Sequence, residues 1–437
     1  MQRLGWILLA LVSSGCLQAQ RKHYLREPLI TAEPHEIEAE WITVPLRAFS
    51  VRDDGGGRNS STTVGQIDRW LVEANRIYAS AHVRFEFNPN LFEPLRSTLL
   101  NEVGDGNHPK RHEQVARGNE LAASYPGTVV LLFRFGAGRT QTGAGFAGSD
   151  ANFVVMPSLQ SQAFCGHANL NILAHELGHF FGLPHTFARE FESVWEAEAV
   201  AAKDPQLLDG DSFDDTPPDP FFRDEPYECD FAINSVMLGG KPFALPRHNV
   251  MSYFDSPRKE LTPQQIQIVR QGALRRTGQD LRKLVEGATL LPLEGSKVNE
   301  ADITQGAIDH QDMRGFWGTW SGNHQLLWSG GTKGNTISID FTLAEGGAFE
   351  PWTGLTLGPD FAQIAVSVDD GPAHPVELYA RTVRHSGPTH VGTQTLAPGA
   401  HVLKLRIAGQ NPHSTGLLVG FDYLLLKPAP QLTSSLW

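Results

Sequence analysis

Asn171-Ile172-Leu173-Ala174-His175-Glu176-Leu177-Gly178-His179-Phe180-Phe181-Gly182-Leu183-Pro184-His185 is the most informative run in this 437-residue chain. His175 and His179 are four apart, so on a helix both imidazoles lie on one face, one turn apart. Leu173, Leu177 and Phe181 repeat at the same interval and can bury another face. Gly182 lets the chain leave the helix in a conformation that a residue with a Cβ resists, bringing His185 round as a third nitrogen ligand. Three neutral imidazoles suit Zn²⁺ and leave a fourth tetrahedral position for water. Glu176, beside the first histidine, is placed to take that water's proton and pass it to a leaving amine. The bland alternatives are a helix with ordinary satisfied histidines, or a zinc site without activity. The Gly and the third His at fixed spacing make the pattern much more specific than His-Glu-x-x-His alone.

Further along stands His248-Asn249-Val250-Met251-Ser252-Tyr253. Together with the run from His175 to His185 it resembles the metzincin zinc endopeptidases. Within that clan the chain is most similar to the pappalysins. The supporting residues are Gly182 to Phe187, Asp214-Asp215-Thr216-Pro217, Asn249 to Tyr253, and Leu261-Thr262-Pro263-Gln264-Gln265. The resemblance covers about residues 40–285. It implies an α+β catalytic domain with a mixed twisted sheet, an active-site helix and a C-terminal helix, and cleavage of polypeptide substrates. It implies Met251 packed beneath the metal as a support, and Tyr253 near the metal as an oxyanion stabiliser. It also implies an edge strand that pairs with extended peptide, for which Gly145 to Met156 is the candidate, above all Asn152, Phe153, Val154, Val155 and Met156. Phe254 is expected in the wall of the specificity pocket.

Outward from these motifs, residues 38–286 mix strands and helices. Trp41–Val51 and Val83–Phe87 alternate like strands, Thr128–Phe135 reads as a buried strand, and Thr63–Ser80 has helical spacing. Thr262 is an N-cap, Pro263 sits at the first helical position, and Gln265 completes a capping box for a helix ending near Arg276. Residues 186–245 are strongly acidic and hold nearly all of the net charge of −12. Asp209, Asp211, Asp214 and Asp215 are calcium candidates there, an expectation the pappalysin resemblance strengthens. The alternative is a solvated acidic face.

After Gly287 short strand-like runs recur between turn clusters, which predicts an all-β, jelly-roll-like sandwich over 288–428 with a tail at 429–437. It resembles galactose-binding-like and carbohydrate-binding modules through Phe316 to Ser321, Leu327 to Gly331 and Gly420 to Leu424. Trp317, Trp320, Trp328 and Trp352 can stack on sugars, or pack as core residues.

The first 19 residues read as an export signal, followed by a lead-in at 20–37. Cleavage after Ala19 gives a secreted or periplasmic protein, and cleavage before Cys16 a lipid-anchored one at the cell surface. In either case Cys165 and Cys229 remain, either as a disulfide or as two buried thiols. The acidic balance argues against a nucleic-acid partner, and no later apolar run is long enough for a membrane span. The expected function is an exported zinc endopeptidase. The alternatives are a catalytically inactive or latent surface protein that binds glycan or protein through the sandwich, and a zinc hydrolase of small amides.

Overall fold

The computed structural model describes residues 40–430 apart from 103–108, 136–149, 157–162, 166, 224–226 and 228. The expected leader with Cys16, the lead-in, residues 145–149 of the candidate substrate segment and 431–437 of the tail lie outside the described residues.

The first half is built on a sheet of strands β1 (Ile42–Arg52), β2 (Val83–Phe87), β3 (Glu93–Arg96), β4 (Val129–Phe133) and β5 (Phe153–Met156). The order is β2-β1-β4-β5, with β3 also pairing β1. Every pairing of this sheet among the described residues is parallel, where a mixed sheet was expected. A parallel strand is covered on both faces, and β4 and β5 are apolar at every position for that reason. Val154 and Met156 enter the main core, and Phe153 and Val155 enter a second core on the opposite face.

The helices are α1 (Val64–Tyr78), α2 (Thr98–Asn101), α3 (Arg111–Ala123), α4 (Ile172–Phe180), α5 (Val194–Ala201) and α6 (Pro263–Arg276). α1 and α4 pack on one face of the sheet. The Tyr78 hydroxyl donates to the Ala174 carbonyl at 2.8 Å, and the Trp70 indole donates to Asn169 O at 3.1 Å. α6 carries the expected capping box between Thr262 and Gln265. Phe153 also covers α3, where a Cβ at Gly118 would lie 2.1 Å from its ring.

Residues 186–254 are more than an acidic loop. Phe187, Phe191, Ala197, Leu208, Phe221, Phe222, Val236, Leu238 and Phe254 form a core of their own, and strands Ser235–Leu238 and Lys241–Ala244 close it as a hairpin. Phe254 is fully buried in this core. Cys165 and Cys229 are disulfide-bonded, with Cα atoms 5.3 Å apart, tying this region to the chain just ahead of α4.

The second half is the expected all-β sandwich. A seven-stranded sheet has the order 307–312, 324–329, 419–428, 347–357, 384–390, with 290–294 and 394–396 pairing from the side. A five-stranded sheet runs 302–303, 336–343, 399–409, 363–368, 374–377. All pairs are antiparallel, and Leu326, Trp328, Ile339, Phe341, Val366, Leu405 and Phe421 fill the space between the sheets.

The two halves share a buried seam. Tyr423 and Leu425 of the sandwich belong to the main core of the first half, with Trp352 packed against it. The Arg275 guanidinium on α6 meets Asp422 at 2.6 Å, and the Asp422 side chain is fully buried. Asp422 also accepts hydrogen bonds from Ser321 N at 2.8 Å and from His385 Nε2 at 3.0 Å. Gln271 Nε2 donates to Thr319 O at 2.7 Å, while its Oε1 accepts from the Tyr423 hydroxyl at 3.1 Å.

Candidate metal centre

α4 presents His175 and His179 on one face, and the chain reverses at Gly182, where φ is +103°. A Cβ there would also lie 2.7 Å from Gly318 Cα, so both the turn and the neighbouring sandwich backbone require glycine. The turn delivers His185. The three Nε2 atoms then stand 3.1 Å (His175–His179), 3.0 Å (His179–His185) and 3.3 Å (His175–His185) apart. Nitrogens bound to one tetrahedral zinc at ~2.0–2.1 Å lie about 3.3–3.4 Å apart, so the triangle fits such an ion, slightly tight. Among the described residues this is the group of three or more His, Cys, Asp or Glu whose ligand atoms converge within 4.8 Å.

Two ligands are oriented from behind. His175 Nδ1 is 2.8 Å from Val250 O, and His179 Nδ1 is 2.7 Å from Leu183 O. Each Nδ1–H donates to a carbonyl, which leaves the Nε2 lone pair directed to the shared point. Burial holds His179 down to about 4 and pushes His175 and His185 in the same direction, so all three imidazoles are neutral near pH 7, as ligation requires. Glu176 is buried, and desolvation pushes its carboxyl up to about 8.

Met251 is fully buried, with its sulfur against α4; a Cβ at Gly178 would lie 2.5 Å from Met251 Sδ. Tyr253 is half-buried, with ring centroids 5.3 Å from His175 and 4.7 Å from His185. Burial, then the Glu176 charge, raises its hydroxyl pKa.

The turn carrying Met251 is held by two residues that sequence reading did not single out for this. Lys259 is buried and donates to Asn249 O at 3.0 Å, Ser252 O at 3.0 Å and Phe254 O at 2.7 Å. Desolvation pulls this ammonium down to about 7. Gln265, already in the capping box, exchanges two 3.1 Å amide hydrogen bonds with Asn249. Neither role had a sequence signal beyond a lysine and a glutamine near the turn. Lys259→Met is expected to lower stability by about 3 kcal/mol, because it takes the ammonium from three buried carbonyls and leaves only Asn249 O a second donor, Ser252 N. Urea unfolding with zinc analysis checks this, and zinc affinity should fall with stability.

The other expected sites come out differently. Phe153 to Met156 bury their side chains in the two cores, and the exposed Asn152 accepts from Arg276 Nη1 at 2.6 Å; β5 stands at the end of the described sheet order, where the expected pairing with peptide would use its backbone. Among the described residues Asp209, Asp211, Asp214 and Asp215 are not among the groups whose ligand atoms converge within 4.8 Å. Asp209 Oδ1 accepts from Asp211 N at 3.0 Å and Ser212 N at 2.9 Å, which closes their own turn. Asp211 Oδ1 accepts from Thr216 Oγ1 at 2.7 Å, and Asp215 Oδ2 accepts from Gln264 N at 2.8 Å at the start of α6. The buried cation that feels these four carboxylates is Arg384 of the sandwich.

Nor do the four tryptophans form a free sugar platform. Trp320 and Trp328 are buried, with their indole N–H groups on Thr356 Oγ1 and Gln305 O, each at 2.8 Å. Trp352 packs on the first half, and Trp317 lies 5.0 Å from the His179 ring.

No protein-family model matches this chain, and no curated protein matches it in sequence. Some solved structures are similar to about a third of it. A Paenibacillus xanthan lyase aligns with TM-score 0.28 and 15% identity, over 32% of this chain and 13% of that one. A Podospora anserina GH26-CBM35 β-(1,4)-mannanase aligns with TM-score 0.24 and 13% identity, over 33% and 28%. A family 35 carbohydrate binding module from Clostridium thermocellum aligns with TM-score 0.22 and 15% identity, over 32% and 99%. The chain therefore spans less than a third of the length of the lyase and of the mannanase.

Proposed function

We propose that this chain is an exported zinc-dependent endopeptidase. The observation that carries the reading is the convergence of His175, His179 and His185 Nε2 within 3.3 Å, with Glu176 on the same helix. The ordered backing of the ligands supports it, as do Met251 beneath the site and Tyr253 beside it. The Cys165–Cys229 bond supports export, since such bonds persist in oxidising compartments. No described helix is long and apolar enough to cross a membrane.

His175, His179 and His185 would hold the ion. Zinc, when bound, supplies a Lewis acid and a water of lowered pKa. With the charge of the bound ion offsetting its desolvation, Glu176 would be ionised and take a proton from the attacking water as the water's oxygen bonds to the peptide carbonyl carbon. It delivers that proton to the amide nitrogen as the C–N bond breaks. Tyr253 donates a hydrogen bond to the carbonyl oxygen as negative charge develops there.

Glycan binding by the sandwich draws less support, because Trp320 and Trp328, two of the four candidate tryptophans, are buried with their indoles bonded within the protein. The test is metal analysis and hydrolysis on the full chain. One zinc per chain is expected, lost together with activity in His185→Ala. A folded chain that takes up no zinc would refute the reading.

A further inference from the structure

The loop Arg314-Gly315-Phe316-Trp317-Gly318-Thr319-Trp320 joins two strands of the sandwich, yet it reaches the metal centre. Both flanks are fastened. Met313 N donates to Asn323 O at 2.8 Å, and Trp320 is buried with its indole bonded to Thr356. Thr319 O accepts from Gln271 on α6, and Gly318 lies against Gly182 just past α4. Trp317 is therefore held in place with its ring centroid 5.0 Å from that of His179, at an interplanar angle of 33°. Unlike Trp320 and Trp328 it keeps part of its surface exposed. Tyr253 flanks His175 and His185, so each ligand has an aromatic neighbour, and the neighbour of His179 comes from the second domain.

We infer that Trp317 is a wall of the substrate cleft, contributed by the sandwich, which selects an apolar side chain next to the bond that is cut. This rests on the endopeptidase reading. A fixed indole beside the reacting centre removes apolar surface from water when an aliphatic or aromatic side chain lies on it, and gives a small or charged one nothing in return. The sandwich is then part of the active site and not only an appended module.

The experiment uses the zinc-loaded full chain and peptides of one sequence that differ only in the residues flanking the scissile bond: Leu or Phe, Ala, and Asp. Trp317→Ala is expected to lower kcat/KM for the Leu and Phe peptides about tenfold or more, the scale of a lost apolar contact, with the Ala peptide nearly unchanged. Zinc content should stay that of the parent. Trp317→Phe, which keeps an aromatic ring on His179, carries the same test where the Ala variant does not fold; it should shift preference toward larger apolar side chains. An equal fall for all peptides, loss of zinc, or an unchanged profile would overturn the inference. A zinc-loaded parent that cleaves none of the peptides refutes the endopeptidase reading itself, and that is seen before any variant is compared.

Discussion

Glu176→Gln is expected to lower peptide hydrolysis by about 10²–10⁴-fold while the chain keeps its zinc. The amide keeps the size and shape of the carboxyl group but cannot accept a proton, so the loss isolates proton transfer from ligand geometry. Glu176 makes no contribution to the triangle of Nε2 atoms, whose orientation comes from Val250 O and Leu183 O. Metal content should therefore be that of the parent, and kcat rather than KM should carry the fall. Steady-state kinetics on one cleaved peptide, with zinc measured on the same samples, checks both parts. Retained activity would remove Glu176 from the reaction; lost zinc would make it a structural residue.

The second large effect concerns the seam between the halves. Asp422→Ala is expected to destabilise the protein by about 3–5 kcal/mol, the usual cost of breaking a buried ion pair from one side. The carboxylate is fully buried and holds the Arg275 guanidinium at 2.6 Å, Ser321 N at 2.8 Å and His385 Nε2 at 3.0 Å. Its removal strands a cation that is itself nearly enclosed. Combining the change with Arg275→Met should recover part of the loss, since neither charge is then left alone. Asp312→Ala breaks a pair whose partners are 63% and 46% exposed, and should leave the urea midpoint where it was. Equal effects of Asp422→Ala and Asp312→Ala would show that the seam carries no special weight.

The parts legible in the sequence are those whose physics is local. Helix periodicity located α1, and the Thr262–Gln265 pairing located the start of α6. The convergence of His175, His179 and His185 was legible because a helical turn and one glycine bring the three rings together. Strands 307–312 and 384–390 carry little sequence signal because both are sheet edges of polar composition, the second with Gly387 and Pro388, and edge strands show little alternation. α3 was missed because few of its residues are apolar. A strand buried on both faces reads as an apolar run whether or not it lies at an edge, so the place of Phe153 to Met156 at the end of the sheet order came only from the structure.

The seam was illegible because its contacts are far apart in the chain. The position of Trp317 was illegible because a tryptophan's sequence neighbours do not reveal that its ring stands 5.0 Å from that of His179. The buried cation facing Asp209, Asp211, Asp214 and Asp215 was illegible because Arg384 lies far along the chain. One signal was present: Asp422 is a carboxylate inside the apolar run Val419 to Leu426, and a charge in such a strand requires a buried partner.

The most direct test is to digest a peptide library with the zinc-loaded full chain beside Glu176→Gln and read the new termini by mass spectrometry. The account predicts internal cleavage by the parent, with apolar residues enriched beside the cut, and an intact library with the variant. A folded, zinc-loaded parent that leaves the library intact would contradict it.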